Sequence, residues 1–211
     1  MPKGRVDLLK VAVDHFRKID LVLSGVIDVI GDMNLRYRPA NFEGFVRIII
    51  NQQLSETVAS TIFRRLQNLV QSRQITPEAL LSSDPALLKE CGLSYRKIEY
   101  ILGLATYFAD DPNFISKLKK MEGDEVLSTL MSIRGIGVWS ANIFRMFYLK
   151  DLDVFPYGDV SLEKAINLLY GGKFENKKFN PEQLVSSWSP YKSIASLYLW
   201  KWLDQGQPNI S

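Results

Sequence analysis

Apolar residues recur every three or four positions along most of this chain of 211 residues. This spacing places them on one face of a helix, whereas a half-buried strand would alternate apolar and polar residues, a pattern that is hard to find here. One such series, behind the potential capping residue Ser55, consists of Val58, Ile62, Leu66 and Leu69. The chain is therefore predicted to be all-α, with about ten to twelve short helices joined by short loops.

Two segments are predicted to separate larger parts of the fold. Residues 36–40 separate a short N-terminal helical pair from a longer central run, and residues 151–158 end that run. Each segment contains a proline, and the second also contains a glycine, so no helix is expected to cross it.

The scarcity of cysteine and histidine excludes several kinds of site. Cys91 is the only cysteine, which excludes an intramolecular disulfide, a cysteine-rich zinc site and a four-cysteine iron–sulfur cluster. His15 is the only histidine, so any Ser-His or Cys-His nucleophile would have to use it. No cofactor is expected apart from the cation considered below.

The apolar runs are far shorter than the roughly 20 residues that span a bilayer. The first residues lack the apolar core and cleavage site of a signal peptide. We therefore expect no membrane association and an intracellular location: the cytoplasm of a bacterium or archaeon, or the nucleus of a eukaryote. The net charge of +3 at pH 7 and the pI near 8.9 fit a polyanionic partner without requiring one.

Residues 124–150 are predicted to form two helices joined by a tight turn. Asp124 is expected to cap the first helix, and Gly135 and Gly137 flank Ile136 in the turn. Glycines tolerate positive φ and expose the main-chain amides at the start of the second helix, where a phosphate can bind. Ile136 is expected to anchor the turn in the core. A Gly-Ile-Gly turn alone is more typical of two packed helices than of a binding site.

An aspartate about twenty residues after this turn precedes another predicted helix. Residues 153–159 read Asp-Val-Phe-Pro-Tyr-Gly-Asp, and the helix after Asp159 has an apolar face that includes Leu162 and Ile166. Aspartate is a common capping residue, so this position alone indicates a structural role.

Two further motifs complete a set of four. They are residues 51–55 (Asn-Gln-Gln-Leu-Ser) and residues 188–193 (Trp-Ser-Pro-Tyr-Lys-Ser), the latter followed by Leu-Trp-Lys at 199–201. With residues 135–141 and 153–159, their order and spacing resemble the helix-hairpin-helix/Gly-Pro-Asp superfamily of DNA glycosylases, and most of all its alkylpurine (3-methyladenine) branch. Gly158 departs from the family, which often has a second acidic residue there.

The resemblance implies two helical lobes flanking a DNA-binding cleft. Residues 39–150, with the helix-hairpin-helix at 124–150, would form one lobe, and residues 1–38 with 151–211 would form the other. The implied partner is double-stranded DNA containing alkylated bases, bound by a monomer. The implied activity is hydrolysis of the N-glycosidic bond of an alkylated purine in base excision repair.

The resemblance also implies roles for individual residues. Asp159, at the cleft, would be the catalytic carboxylate that stabilises an oxocarbenium-like sugar and orients the attacking water. An alkylated purine is cationic and leaves as a neutral base, so no general acid is needed. Gln53 would be the wedge that fills the gap left by the flipped base. The residues implied for the base pocket are Trp139, Trp200, Tyr191 and Gln52, whereas Trp188 is expected in the core.

At the hairpin, the resemblance implies a phosphate site and a cation site. A DNA phosphate would be bound at Gly135, Ile136, Gly137, Val138 and Ser140. A monovalent cation would be held by the main-chain carbonyls of Met131, Ile133 and Ile136.

Two alternatives remain open. A bifunctional glycosylase/lyase of the same superfamily has a lysine two residues after the second hairpin glycine. Trp139 occupies that position here, and an indole cannot form an imine, so a monofunctional enzyme is predicted. A non-catalytic helix-hairpin-helix DNA-binding module would need neither Asp159 nor several tryptophans.

Overall fold

The computed structural model describes residues 8–171 and 180–210. Over these residues the chain forms thirteen α-helices, one π-helical segment and no strand, so the all-α prediction is confirmed. The α-helices are α1 (Leu8–Ile19), α2 (Leu21–Ile30), α3 (Phe42–Asn51), α4 (Glu56–Leu69), α5 (Pro77–Leu81), α6 (Pro85–Glu90), α7 (Tyr95–Asp110), α8 (Phe114–Leu118), α9 (Gly123–Met131), α10 (Val138–Phe144), α11 (Val160–Tyr170), α12 (Pro181–Ser187) and α13 (Lys192–Asp204). The π-helical segment, Arg145–Leu149, directly follows α10. None of the described helices is long and apolar enough to span a membrane.

The described residues contain more helices than expected, because single-turn helices such as α8 are too short to carry a periodic apolar series. Ser55 caps α4 as predicted and accepts a hydrogen bond from the amide of Val58 at 3.5 Å. Asp124 does not cap α9, which begins at Gly123 after Glu122 and has no side-chain capping bond. Asp124 instead lies in the first turn of α9, where its charge faces the positive end of the helix dipole.

The described residues form two compact units. One unit is Tyr37–Lys150, and the other contains the described residues on either side of it. The first boundary precedes the position expected from Pro39. The reason is that Arg38 already belongs to the central unit, since its amide donates to the carbonyl of Phe147 at 2.9 Å.

The core of the Tyr37–Lys150 unit is built around α3, in which seven of ten residues are buried. Phe45 of α3 stacks on Phe144 of α10, with ring centroids 3.9 Å apart. The turn between α9 and α10 is held by the same core, because Ile133 and Ile136 are both buried in it. The predicted anchoring role of Ile136 is confirmed.

The core of the other unit contains a buried carboxylate. Asp20 accepts hydrogen bonds from the amides of Val22 and Leu23, the hydroxyl of Tyr170 and the indole of Trp188, at distances of 2.8–3.0 Å. Four donors compensate for the removal of this charge from water. Trp188 is fully buried, so the core position expected for it is confirmed.

Candidate active site

Asp159 lies where a tight turn brings the chain out of the core. Phe155 is buried, whereas Tyr157 is about half exposed. Gly158 has a φ of +83°, which glycine adopts without strain. The amide of Asp159 donates to the carbonyl of Pro156 at 3.1 Å and closes the turn. The side chain of Asp159 is therefore presented, partly exposed, at the start of α11.

Two hydrogen bonds fix the direction of the Asp159 carboxylate. Its Oδ1 accepts from the main-chain amide of Leu162 at 3.0 Å, as predicted for a capping residue. The same oxygen accepts from the indole Nε1 of Trp200 at 3.1 Å. Trp200 belongs to α13 and lies 41 residues further along the chain. The structure thus brings two predicted site residues together and makes Trp200 a hydrogen-bond donor to the carboxylate.

The two other aromatic residues predicted for the base pocket are both partly buried. Tyr191 precedes α13, and its ring centroid lies 5.4 Å from that of His15 and 6.4 Å from that of Phe16, both edge to face. Trp139 lies in the first turn of α10, within the Tyr37–Lys150 unit. A pocket role for either ring stays a prediction.

The two hairpin glycines differ in conformation. Gly135 has a φ of +93°, a conformation that glycine tolerates, and a Cβ there would collide with the ring of Tyr100. Gly137 has a φ of −94° and a ψ of 179°, so it does not use the positive φ that glycine tolerates. Among the described residues, apart from Gly137 and its two chain neighbours, no atom lies within 4 Å of a Cβ built on Gly137. The fold therefore requires glycine at position 135 but not at position 137.

The first amides of α10 are not capped by a side chain. Gly137 is the N-cap residue and has no side chain to accept a hydrogen bond from the first amides of the helix. The side chain of Ser140 is buried, and its Oγ accepts a hydrogen bond from Gln52 at 2.9 Å. The predicted contribution of Ser140 to phosphate binding is therefore restricted to its main chain.

Gln52 connects the 51–55 turn to the hairpin. Its Nε2 donates to the carbonyl of Gly135 at 2.8 Å as well as to Ser140. These bonds give the Gln52 amide a positioning role in addition to the pocket role predicted for it. Gln53, which follows, is exposed and has a φ of +58°, a left-handed conformation that is uncommon for a residue with a Cβ.

Sequence reasoning missed a lysine that contacts this turn. The Nζ of Lys97 donates to the carbonyls of Ile50 and Gln52, at 2.7 and 2.8 Å. Partial burial lowers the pKa of the Lys97 ammonium. Lys97 lies in the first turn of α7, where a lysine is normally solvated, so no local signal marks it.

The comparison with known proteins identifies the family. Residues 46–190 match the model of the HhH-GPD superfamily of base excision DNA repair proteins. This match covers more than half of the chain, and the chain belongs to this superfamily.

Curated relatives match over most of the chain. The alkylbase DNA glycosidase-like protein mag2 of Schizosaccharomyces pombe is 28% identical over 198 residues, which are 91% of this chain and 92% of mag2. The putative DNA-3-methyladenine glycosylase YfjP of Bacillus subtilis is 28% identical over 204 residues, which are 93% of this chain and 70% of YfjP.

Solved structures share the fold. A DNA-3-methyladenine glycosidase from Bacillus halodurans has a TM-score of 0.76 and 34% identity, over 90% of this chain and 88% of that one. A 3-methyladenine DNA glycosylase from Schizosaccharomyces pombe in complex with abasic DNA has a TM-score of 0.77 and 23% identity, over 94% of this chain and 98% of that one.

Proposed function

We propose that this protein is a monofunctional DNA glycosylase that hydrolyses the N-glycosidic bond of alkylated purines of the 3-methyladenine type. The observation that carries the proposal is the Asp159 carboxylate, which Leu162 and Trp200 hold in one direction at the start of α11. Several relatives are named as 3-methyladenine glycosylases, which supports the alkylated purine as the substrate. The proposed partner is double-stranded DNA, bound by a monomer.

The chemistry requires only one carboxylate. Flipping the base from the stack costs a few kcal/mol. An N3- or N7-alkylated purine already carries a positive charge and leaves as a neutral molecule. Asp159 then faces the oxocarbenium-like sugar. At about 4 Å and an effective dielectric constant near 20, this attraction is about 4 kcal/mol, or roughly a thousandfold in rate. The same carboxylate orients the water that attacks the sugar.

Trp139 supports the monofunctional reaction. A lyase step needs an amine that attacks the sugar and forms an imine. The indole nitrogen of Trp139 has no basic lone pair, so this residue cannot replace the lysine of bifunctional relatives.

The hairpin is proposed to hold a DNA phosphate with the main-chain amides at residues 135–138. The open space beside Gly137 supports a close approach of a phosphate to the main chain. Carbonyl oxygens suit a monovalent cation, and the proposed set comes from Met131, Ile133 and Ile136. The Ile133 carbonyl accepts the amide of Ile136 at 3.0 Å and retains a second lone pair for a cation. A bound cation would add positive charge near the phosphate.

Release of free 3-methyladenine from methylated DNA tests the proposal. We expect the wild-type protein to release it, and Asp159→Asn to abolish release, because the amide keeps the cap and removes the charge. Binding to abasic-site DNA is the control, and it should be nearly unchanged in Asp159→Asn. Excision by Asp159→Asn within about tenfold of wild type would refute the role of Asp159, since the carboxylate is expected to supply roughly a thousandfold.

Borohydride trapping distinguishes the monofunctional reaction from that of a glycosylase/lyase. We expect no covalent complex with substrate DNA and an intact abasic strand as the product. An efficient trap that survives Asp159→Asn and is lost on mutation of one lysine would assign the protein to the lyase branch.

A further inference from the structure

The turn that follows α3 is held by contacts from outside it. The last carbonyls of a helix have no partner within the helix. Here the carbonyls of Ile50 and Gln52 both accept hydrogen bonds from Lys97 of α7, at 2.7 and 2.8 Å. A lysine ammonium has three donors, so one side chain satisfies both carbonyls at once.

The residue after these carbonyls has a conformation that needs such support. Gln53 has a φ of +58°, which costs a residue with a Cβ of order 1 kcal/mol or more. The side chain of Gln53 is exposed, so its own packing does not hold the main chain in place. The peptide that joins Gln52 to Gln53 is fixed instead by Lys97, through the Gln52 carbonyl. The Gln52 side chain is fixed separately, through the hairpin.

We propose that Lys97 is a positioning residue for base flipping: its ammonium holds the Gln52–Gln53 turn in the conformation from which Gln53 enters the duplex. This inference rests on the proposed glycosylase function and on the wedge role of Gln53. A wedge that is already in its working conformation pays no ordering cost when it displaces the base. Lys97 therefore acts through the main chain of the turn and touches neither the base nor the sugar.

The test compares two substrates that differ in the need for flipping. One is a full duplex with a single N-methylpurine, and the other has the same strand opposite a one-nucleotide gap. Single-turnover release of the base is measured for wild type, Lys97→Met, Lys97→Arg, Gln53→Ala and the Lys97→Met/Gln53→Ala double variant. Thermal unfolding is followed for each protein, and Lys97→Gln replaces Lys97→Met if the latter does not fold.

We expect Lys97→Met to slow base release from the full duplex about tenfold or more, because hydrogen bonds from a charged donor are lost. Base release from the gapped substrate should be nearly unaffected. Lys97→Arg retains a cation with several donors and should restore most of the rate. In the Gln53→Ala background, Lys97→Met should cause no further loss, because both changes disable the same step.

Other results would overturn the inference. Equal losses on both substrates, or losses that add in the double variant, would make Lys97 a residue of general stability. The slope of DNA affinity against salt concentration reports how many phosphates the protein neutralises. If this number falls by about one in Lys97→Met, Lys97 is a phosphate contact. If the wild-type protein releases no base from either substrate, the proposed function itself fails, a result distinct from equal losses in an active enzyme.

Discussion

Substitutions of the two hairpin glycines are expected to change different properties: Gly135→Ala the stability of the fold, and Gly137→Val the affinity for DNA. Gly135→Ala places a Cβ at a φ of +93° and against the Cβ and Cγ atoms of Tyr100, at the fixed base of that side chain. The backbone conformation costs about 1–2 kcal/mol. Displacing a packed ring costs about 1–3 kcal/mol more. We therefore expect Gly135→Ala to lower the free energy of unfolding by about 2–5 kcal/mol.

Gly137→Val should leave the fold nearly unchanged. Its φ of −94° and ψ of 179° suit a β-branched residue, and in the described part of the chain only its own neighbours in sequence lie within 4 Å of the new Cβ. Loss of a favourable N-cap residue is offset by the reduced entropy of the unfolded chain, so the net change should stay within about 1 kcal/mol. If a phosphate approaches the main chain at Gly137, the valine side chain excludes it, and DNA affinity should fall about tenfold at fixed salt. The loss should be the same for all DNA sequences, because phosphate contacts carry no sequence information.

Urea denaturation and fluorescence anisotropy with a labelled duplex measure the two effects separately. A Gly137→Val variant that binds DNA as tightly as wild type at the same salt concentration would refute the phosphate site at Gly137. A Gly135→Ala variant that is as stable as wild type would refute the requirement for glycine at position 135, because the φ and the contact with Tyr100 leave no unstrained position for the added methyl group.

Two further substitutions test the contacts of the other unit. Trp200→Phe removes the indole donor to Asp159 and keeps an aromatic ring. Base release should therefore slow about ten- to a hundredfold, while binding to abasic DNA stays nearly unchanged. A wild-type rate of release would show that the indole does not orient the carboxylate. Tyr170→Phe removes one donor from the buried Asp20 and should lower the free energy of unfolding by about 1.5–3 kcal/mol in urea denaturation at neutral pH. Burial, with a smaller contribution from the charge of Asp20, raises the pKa of Tyr170 above its ordinary value. The contribution of the phenol to stability should therefore be constant below about pH 10 and decline above it, and a decline already between pH 6 and 9 would contradict this assignment.

Local sequence signals predicted the features that depend on one short segment. The caps at Ser55 and Asp159 join residues three positions apart, and Ile136 is apolar within a turn of glycines. The conformation of Gly137 was not predictable in this way. Its neighbourhood in the sequence resembles that of Gly135, and only the packed ring of Tyr100 distinguishes the two positions.

Contacts between distant segments carry no signal in the sequence. The bond between Trp200 and Asp159 depends on how α13 packs beside α11, and the bond from Lys97 to Gln52 depends on how α7 packs beside α3. The spacing of apolar residues predicts which face of a helix is buried, but it does not predict the register between two helices. The orientation of the reactive groups was therefore available only from the structure.

Helix α7 supports two of the regions proposed to contact DNA, although it contains none of the four sequence motifs. Lys97 holds the carbonyl of Gln52, and Tyr100 packs against Gly135 from a position three residues later, on the same face of the helix. The side chain of Gln52 joins these two points, because it donates to the Gly135 carbonyl at 2.8 Å. These contacts restrain the turn that carries Gln53 and the hairpin separately, through the main chain and the side chain of Gln52. Lys97→Met is therefore expected to affect the wedge alone, because the Gln52 side chain keeps its bond to the hairpin, whereas a change at Tyr100 is expected to affect the hairpin and its phosphate site.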